Sequence, residues 1–511
     1  MSFPSNLTGP ISNSWGGLAS PRRLSPSRNR PTPKFGFRSL FLWPVVLALL
    51  VYIFPTDKVA CGQQTNLPAP QIGETAAGPC GISSVRDFGA IGDGKTDDTV
   101  AVEKAIRTGR SVYFPPGSYL LTRTIEIRLA ETGFVSLWGD GTARVVMGGP
   151  GPAFRFVGTH TGTAAPRTVH QGVWQQERMP VVSGLEIVGQ HPQAGGIEAT
   201  GTMQLSLRGL NIRETYHAVR LFNRNRNVVI SDCHIYKNLG VGILLDDCDL
   251  HQINISGCHI SYNAQGGIVS RAGNVRNIHV TGCDIENNMP LDPAEAKAAP
   301  PTANILIDGT GGKYGTAEVA ITGCTIQHTH EANDSANIRF IGEDAAARRW
   351  GHLVIANNVL SDVQVNIDLY KARGVSIVGN TFWQGAEWNL RAVDCDHILL
   401  GPNMMDRNPG YEAQLSGCEA VVFQNCRHVS ISGLHLSGVR RKEAGIILES
   451  CENVNINGCF VVDCQGAGIL VRRSSGVHIV NSRFIPPQEQ ALTWLPVRIE
   501  ESKEIIFRPQ D

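Results

Sequence analysis

Aromatic residues are scarce, at 7% of 511 positions, and charged residues reach only 18%. Few rings exclude a thick core built on Phe, Tyr and Trp. The 55 glycines favour many turns and thin, repetitive packing instead. Acid is missing altogether from residues 1–39, which carry Arg22, Arg23, Arg28, Arg30, Lys34 and Arg38. The rest of the chain holds 39 basic against 45 acidic groups, so nothing in its charge balance suggests the basic face a nucleic-acid partner requires. No His/Cys cluster has zinc spacing. The long apolar run is "SLFLWPVVLALLVYIFP", Ser39 to Pro55, with basic residues before it.

These features divide the chain. Residues 1–38, rich in Pro, Ser, Arg and Asn, read as a disordered basic segment. Residues 39–55 read as a signal-peptide core or membrane anchor, with the basic flank staying cytoplasmic. Residues 56–81 read as a linker, and residues 82–511 form one domain. The expectation is an exported protein that is periplasmic, membrane-anchored or secreted, with a membrane partner if the apolar segment is not cleaved.

What is abundant is repetition. "NVVISDCHIYKN" from Asn227, "QINISGCHISYN" from Gln252 and "NIHVTGCDIENN" from Asn277 are copies of one unit. Further copies begin at Glu318, His352, Gly374, His428 and Asn453. The Cys233 position recurs at Cys258, Cys283, Cys324, Asn358, Asn380 and Cys459, commonly at steps of about 22–25 residues. Apolar residues alternate within each unit, which means strand, and Gly, Asn and Asp punctuate the strands. Short strands stacked along one axis predict an all-β fold, a right-handed parallel β-helix. A second ladder holds Cys248, Cys395, Cys426 and Cys451. Stacked side chains run parallel, so the thiols are expected to be free and buried rather than bridged.

The stretch "SVRDFGAIGDGKTDDTVAVEKAI", from Ser84, is followed by "SVYFPPGSYLLTRTIEI" from Ser111. Together they resemble the start of the pectate-lyase-like superfamily, in its rhamnogalacturonase and epimerase-like branch. The resemblance implies a β-helix that acts on, or binds, acidic or complex polysaccharide, without implying one reaction. Hydrolases of that superfamily carry Asn-Thr-Asp, Asp-Asp and Gly-His-Gly segments; this chain keeps only Asp246-Asp247. The Asp-Pro-His-Asp tetrad of alginate epimerases is absent, and "LDPAE" from Leu291 retains only Asp-Pro. The glycine-rich stretch itself is read as mechanical, neither a phosphate cradle nor an EF-hand. Asp97 or Asp98 should cap an N-terminal helix that buries Val100, Ala101, Ala105 and Ile106 over the open first rung.

Superimposing the repeats predicts which side chains face out. One outward column is Asp246, Arg271 and Asp308, and the neighbouring one ends in Arg339, Asp368 and Arg391. Arginines beside carboxylates suit a uronate-rich sugar, and Asp246 and Asp308, two rungs apart, stand near the separation of inverting glycosidases. The structural alternative is a salt-bridge ladder on the sheet face. A third ladder, in the turn after the Cys position, holds Lys237, Tyr262, Asn287, His328 and Asp362. Lys, Tyr and His are the groups a uronate lyase or C5-epimerase needs for proton transfer. The catalytic candidates are therefore Lys237, Asp246, Asp308 and His328. The substrate-binding candidates are Tyr262, Arg271, Arg339, Asp368, Arg391 and Trp174, the last on the insert Gly158–Pro180. No cofactor is implied, although Asp246, Asp247 and Asp249 could hold calcium with a uronate. Two classes remain open: an enzyme that cleaves or epimerises a uronate polymer, as lyase, hydrolase or C5-epimerase, and a non-catalytic polysaccharide-binding or assembly protein at the membrane surface.

Overall fold

The computed structural model describes residues 81–509 apart from 109–110, 164, 313–314, 344–350, 407–419 and 491. The predicted disordered segment, the apolar segment 39–55 and nearly all of the linker lie outside the described residues. Among the described residues no helix is long and apolar enough to cross a membrane.

Every strand pairing is parallel, and each strand pairs with its counterpart one turn of the coil away. One turn comprises Ile268–Arg271, Asn274–Thr281 and Asp284–Glu286. The next comprises Ala303–Asp308, Ala317–Thr322 and Thr325–Gln327. Alternation decides the burial. Ile243, Ile268, Ile305, Ile338, Ile367 and Leu390 point inward and are 0–2% exposed. The predicted register holds: Asp246 pairs with Arg271 and Arg271 with Asp308, while Leu306, Arg339, Asp368 and Arg391 follow one another in the adjacent column.

The corners are held by side-chain ladders. The ten described cysteines are free and buried. Eight of their thiols lie against carbonyls of the preceding turn, as Cys395 Sγ does against Leu369 O at 3.6 Å. A more continuous ladder is made of amides. Asn238, Asn263, Asn288, Asn304, Asn337, Asn366 and Asn389 pass a hydrogen bond from Nδ2 to the next Oδ1 at 2.7–2.9 Å. All seven are buried. Glycine leaves room beside them: a Cβ on Gly267 would stand 2.8 Å from Asn288 Nδ2. Asn288 also donates to Ile260 O at 3.0 Å. Replacing Asn288 with alanine strands that carbonyl and two neighbouring amides, so we expect a loss of about 2–3 kcal/mol, measured as a lower urea midpoint.

The N-terminal helix is Thr99–Ile106. Asp98 is its N-cap residue but gives no side-chain capping bond; Oδ1 of the preceding Asp97 accepts from Thr99 N at 3.0 Å. Asp98 instead accepts from Ile91 N and Gly92 N at 2.7 and 3.0 Å. Val102, Ala105 and Ile106 join the end of the core, whereas Val100 is 53% exposed, because the helix turns its 102/105/106 face inward. Gly89 to Thr96 also spells the Gly-x4-Gly-Lys-Thr spacing of a phosphate loop, so the sequence alone does not dismiss a cradle. The structure does. Lys95 N and Thr96 N already donate to Asp93 Oδ1 at 2.8 and 2.7 Å, and Asp98 holds the amides upstream. No fan of free N–H groups is left for a phosphate.

Candidate functional site

The site grows out of one corner of the coil. At that corner Lys237, Tyr262, Asn287, His328 and Asp362 all adopt left-handed backbone, with φ between 52° and 62°. Each of the first three is followed directly by a buried ladder asparagine, Asn238, Asn263 or Asn288. The asparagine anchors the corner inward, and the residue before it is left at the surface. A left-handed conformation is costly for a side chain as bulky as tyrosine, and it persists because the ladder holds the turn.

In the turn after Asn288 the chain departs from the repeat. Met289–Ala303 rises as a wall whose helix Pro293–Ala298 is capped by Asp292, which accepts from Ala294 N and Glu295 N. Between wall and coil lies a cavity of about 800 Å³. Lys237, Tyr262, Gln265, Arg271, Asp292 and Glu295 are among its polar lining residues, with Leu239, Leu291, Pro300 and Pro301 among the apolar ones. The turn ladder and the outward strand face thus meet in one cavity through Lys237, Tyr262 and Arg271. None of these three side chains has an intramolecular hydrogen bond or ion pair among the described residues. Burial, with Arg220 and Arg271 close by, pushes neighbouring His217 down to about 4.

The other sequence candidates stand elsewhere. Asp246 is paired with Arg220 at 2.7 Å, and Asp308 accepts from Thr310 N and Oγ1 within its own turn. Neither lines the cavity. Arg339 and Asp368 are 7% and 8% exposed, not an open charged face. Asp368 accepts from Arg339 Nε and Arg391 Nε at 2.7 and 2.8 Å, and Asp334 bridges the same two guanidiniums at 3.1 and 3.0 Å. The reason is the loop carrying Asp334, which folds over the column. Trp174 is half-buried against Val169, Val173 and Met203.

His328 lies outside the cavity, with Nδ1 3.2 Å from Glu286 Oε2 and Nε2 3.5 Å from Asp362 Oδ2. Glu286, Asp284 and His259 are outward positions of the short strands His259–Ser261 and Asp284–Glu286, and sequence reasoning stopped one residue beyond them. Burial and the adjacent Glu286 raise the carboxyl of Asp284 above its usual range.

A second cavity, of about 710 Å³, follows along the coil axis. It is lined by Lys297, His330, Glu331, Asp334, Trp388 and Arg391, among others. Glu295 lines the first cavity and Lys297 the second, so one short helix walls both. Trp388 carries Lys442 Nζ 4.0 Å from its ring centre. Its signal was present in "EWNLRAVD", where the residue preceding the ladder asparagine is aromatic.

The fold is a parallel β-solenoid with two cavities beside one walled corner. Residues 170–314 and 303–490 match the family described as right handed beta helix region, and the chain belongs to it. Residues 82–149 match the family described as rhamnogalacturonase A/epimerase, pectate lyase-like, in agreement with the resemblance read from the opening stretch. Among curated proteins, the pre-neck appendage protein of Bacillus phage B103 is 54% identical over 44 residues, 9% of this chain and 5% of that protein. A probable glucan endo-1,3-beta-glucosidase of Arthroderma benhamiae is 41% identical over 56 residues, 8% of this chain and 6% of that protein. These matches span only a small fraction of the relatives' length. Among solved structures, the Dettilon tailspike protein is 15% identical with a TM-score of 0.47, covering 81% of this chain and 70% of that one. A mannuronan C-5 epimerase A-module of Azotobacter vinelandii is 16% identical with a TM-score of 0.41, covering 84% and 100%. Likeness at this level concerns the fold alone.

Proposed function

We propose that the protein binds a uronate-containing polysaccharide along the walled corner and acts on it as a lyase or C5-epimerase. The observation that carries this reading is the convergence of Lys237, Tyr262 and Arg271, unengaged by other side chains, in one cavity. Arg271 is the carboxylate anchor; a guanidinium offers the bidentate geometry and withdraws charge, so that the C5 proton becomes more acidic. Lys237 removes that proton as general base. In elimination the C5–H electrons form the C4=C5 double bond, the C4–O bond breaks, and Tyr262 protonates the departing oxygen. In epimerisation the C4–O bond stays intact, and Tyr262 returns a proton to the opposite face of C5. The second cavity, with Trp388, supplies the next stretch of sugar chain with an aromatic surface. Hydrolysis is the weaker reading, because Asp246 and Asp308 are engaged elsewhere. Export to where such polymers occur is part of the same proposal.

The test is incubation of the full chain with pectate, alginate and other uronate polymers. Absorbance of a new unsaturated uronate supports the lyase, and exchange of the C5 proton with solvent deuterium without cleavage supports the epimerase. New reducing ends without unsaturation point to hydrolysis and overturn the lysine-base assignment. Binding without any product leaves a polysaccharide-binding or assembly protein and overturns the enzymatic reading.

A further inference from the structure

The outward cluster on the strands His259–Ser261 and Asp284–Glu286 is not used by the mechanism above. His259 and Asp284 are direct neighbours across one turn of the coil, and Ser261 faces Glu286. His259 Nε2 is 3.8 Å from Asp284 Oδ2 and 3.9 Å from Glu286 Oε1, and the three donor atoms all lie within 4.8 Å of one another. Donors on one ion, bound at about 2.1 Å, stand roughly 3–4 Å apart. The measured separations are slightly longer; small rotations of His259 and Asp284 close the difference, with the ion replacing the contact of His259 Nε2 with Ser261 Oγ at 3.2 Å.

The surroundings are those of a ligand set. The second oxygen of Glu286 is held by Gln327 Nε2 at 3.2 Å and His328 Nδ1 at 3.2 Å. His328 is in turn 3.5 Å from Asp362. Outer partners of this kind orient a metal-binding carboxylate. No lysine or arginine forms an ion pair with Asp284, Glu286 or Asp362 among the described residues, so imidazoles are the only cationic side chains within reach of these three carboxylates, beside the neutral donors Gln327 and Ser361. A second cluster, Asp396, His397 and His428, lacks this deficit. Asp396 is already paired with Arg373 at 2.5 Å and Arg427 at 3.2 Å, and a cation there would meet two guanidiniums.

We propose that His259, Asp284 and Glu286 bind one divalent transition-metal ion of the zinc or manganese class. An imidazole nitrogen with two carboxylates suits such an ion, whereas calcium and magnesium prefer oxygen alone. His259 and Asp284 keep 35% and 49% of their side-chain surface exposed, so the ion retains open positions toward solvent. Tyr262 directly follows the strand that carries His259, so it stands within about 10 Å of the site. It does not depend on the uronate chemistry proposed above.

The experiment is equilibrium dialysis of the chelator-stripped full chain against Zn2+, with bound metal counted by mass spectrometry. One equivalent is expected. His259→Ala and Asp284→Asn should each weaken binding at least tenfold with an unchanged circular dichroism spectrum, while Asp396→Asn leaves it unchanged. Mn2+ added to the unmutated protein should broaden the ring resonances of His259 and His328 first, which makes the test independent of how the variants fold. No zinc retained, zinc retained equally in the His259→Ala/Asp284→Asn double variant, or Ca2+ held in preference to Zn2+ would each overturn the assignment.

Discussion

Replacing Lys237 with alanine is expected to lower turnover of a uronate polymer by roughly 10²–10⁴-fold, the usual contribution of a positioned general base, while the thermal midpoint stays put. The two halves of this result have separate causes. The Lys237 side chain is exposed and makes no hydrogen bond or ion pair among the described residues, so its removal strands no buried group, and surface changes of this kind stay within about 0.5 kcal/mol. The loss therefore reads chemistry and not folding. Arg271→Ala should behave differently. An anchor for the substrate carboxylate is engaged in ground and transition states alike, so KM rises along with any fall in kcat. Arg271→Lys restores the charge without the bidentate fork and should recover only part of the affinity. Full turnover by Lys237→Ala on a polymer the native protein cleaves would remove the lysine from the mechanism. The fold assignment would be untouched.

Asp368→Asn is expected to destabilise the coil by about 3–5 kcal/mol, the cost of leaving buried charges without their partner. Asp368 is buried, and it accepts from both Arg339 and Arg391. The asparagine keeps the shape but leaves two guanidiniums to share Asp334 alone. The pH dependence follows from the same contacts. Burial pushes the Asp368 carboxyl upward, but the hydrogen bond from Arg391 and the charges of Arg339 and Arg391 outweigh it, so the carboxyl lies below its usual range. A carboxylate depressed in the folded state contributes stability that is complete above its unfolded pKa, near 4, and is lost as pH falls through the folded value. Urea midpoints of the native and Asp368→Asn proteins should therefore differ most at neutral pH and converge below about pH 4. A gap that persists undiminished in acid would show that the ion network is not its source. Added salt should change the gap little, because buried pairs are weakly screened.

The amide ladder shows how far pattern alone carries and where it stops. Asn304, Asn337, Asn366 and Asn389 each precede the inward apolar residue of their turn, in "ANILIDG", "ANIRFIG", "VNIDLYK" and "WNLRAVD". The isoleucines of these segments set the register, and the asparagines beside them carried an equally periodic signal that reading for apolar residues passed over. Their role needs the partners Asn238, Asn263 and Asn288, which reach the same column from the other side of the corner.

Sequence by itself determined the coil, its register, the cysteine ladder and the two outward columns through Asp246–Arg271–Asp308 and Arg339–Asp368–Arg391. It could do so because alternation and turn chemistry propagate unchanged from rung to rung, and stacking converts repetition in the chain into alignment in space. Only the tertiary structure decided which of those charges are free. Arg271 opens into a cavity because Met289–Ala303 folds back as a wall, whereas Arg339 and Asp368 are sealed because Asp334 folds over them. The joining of His259, Asp284 and Glu286 with His328 and Asp362 was likewise settled by packing across four successive turns. Inserted loops obey no repeat, and a side chain's partner is set by whatever crosses its column. Neither is written in the periodicity that built the scaffold.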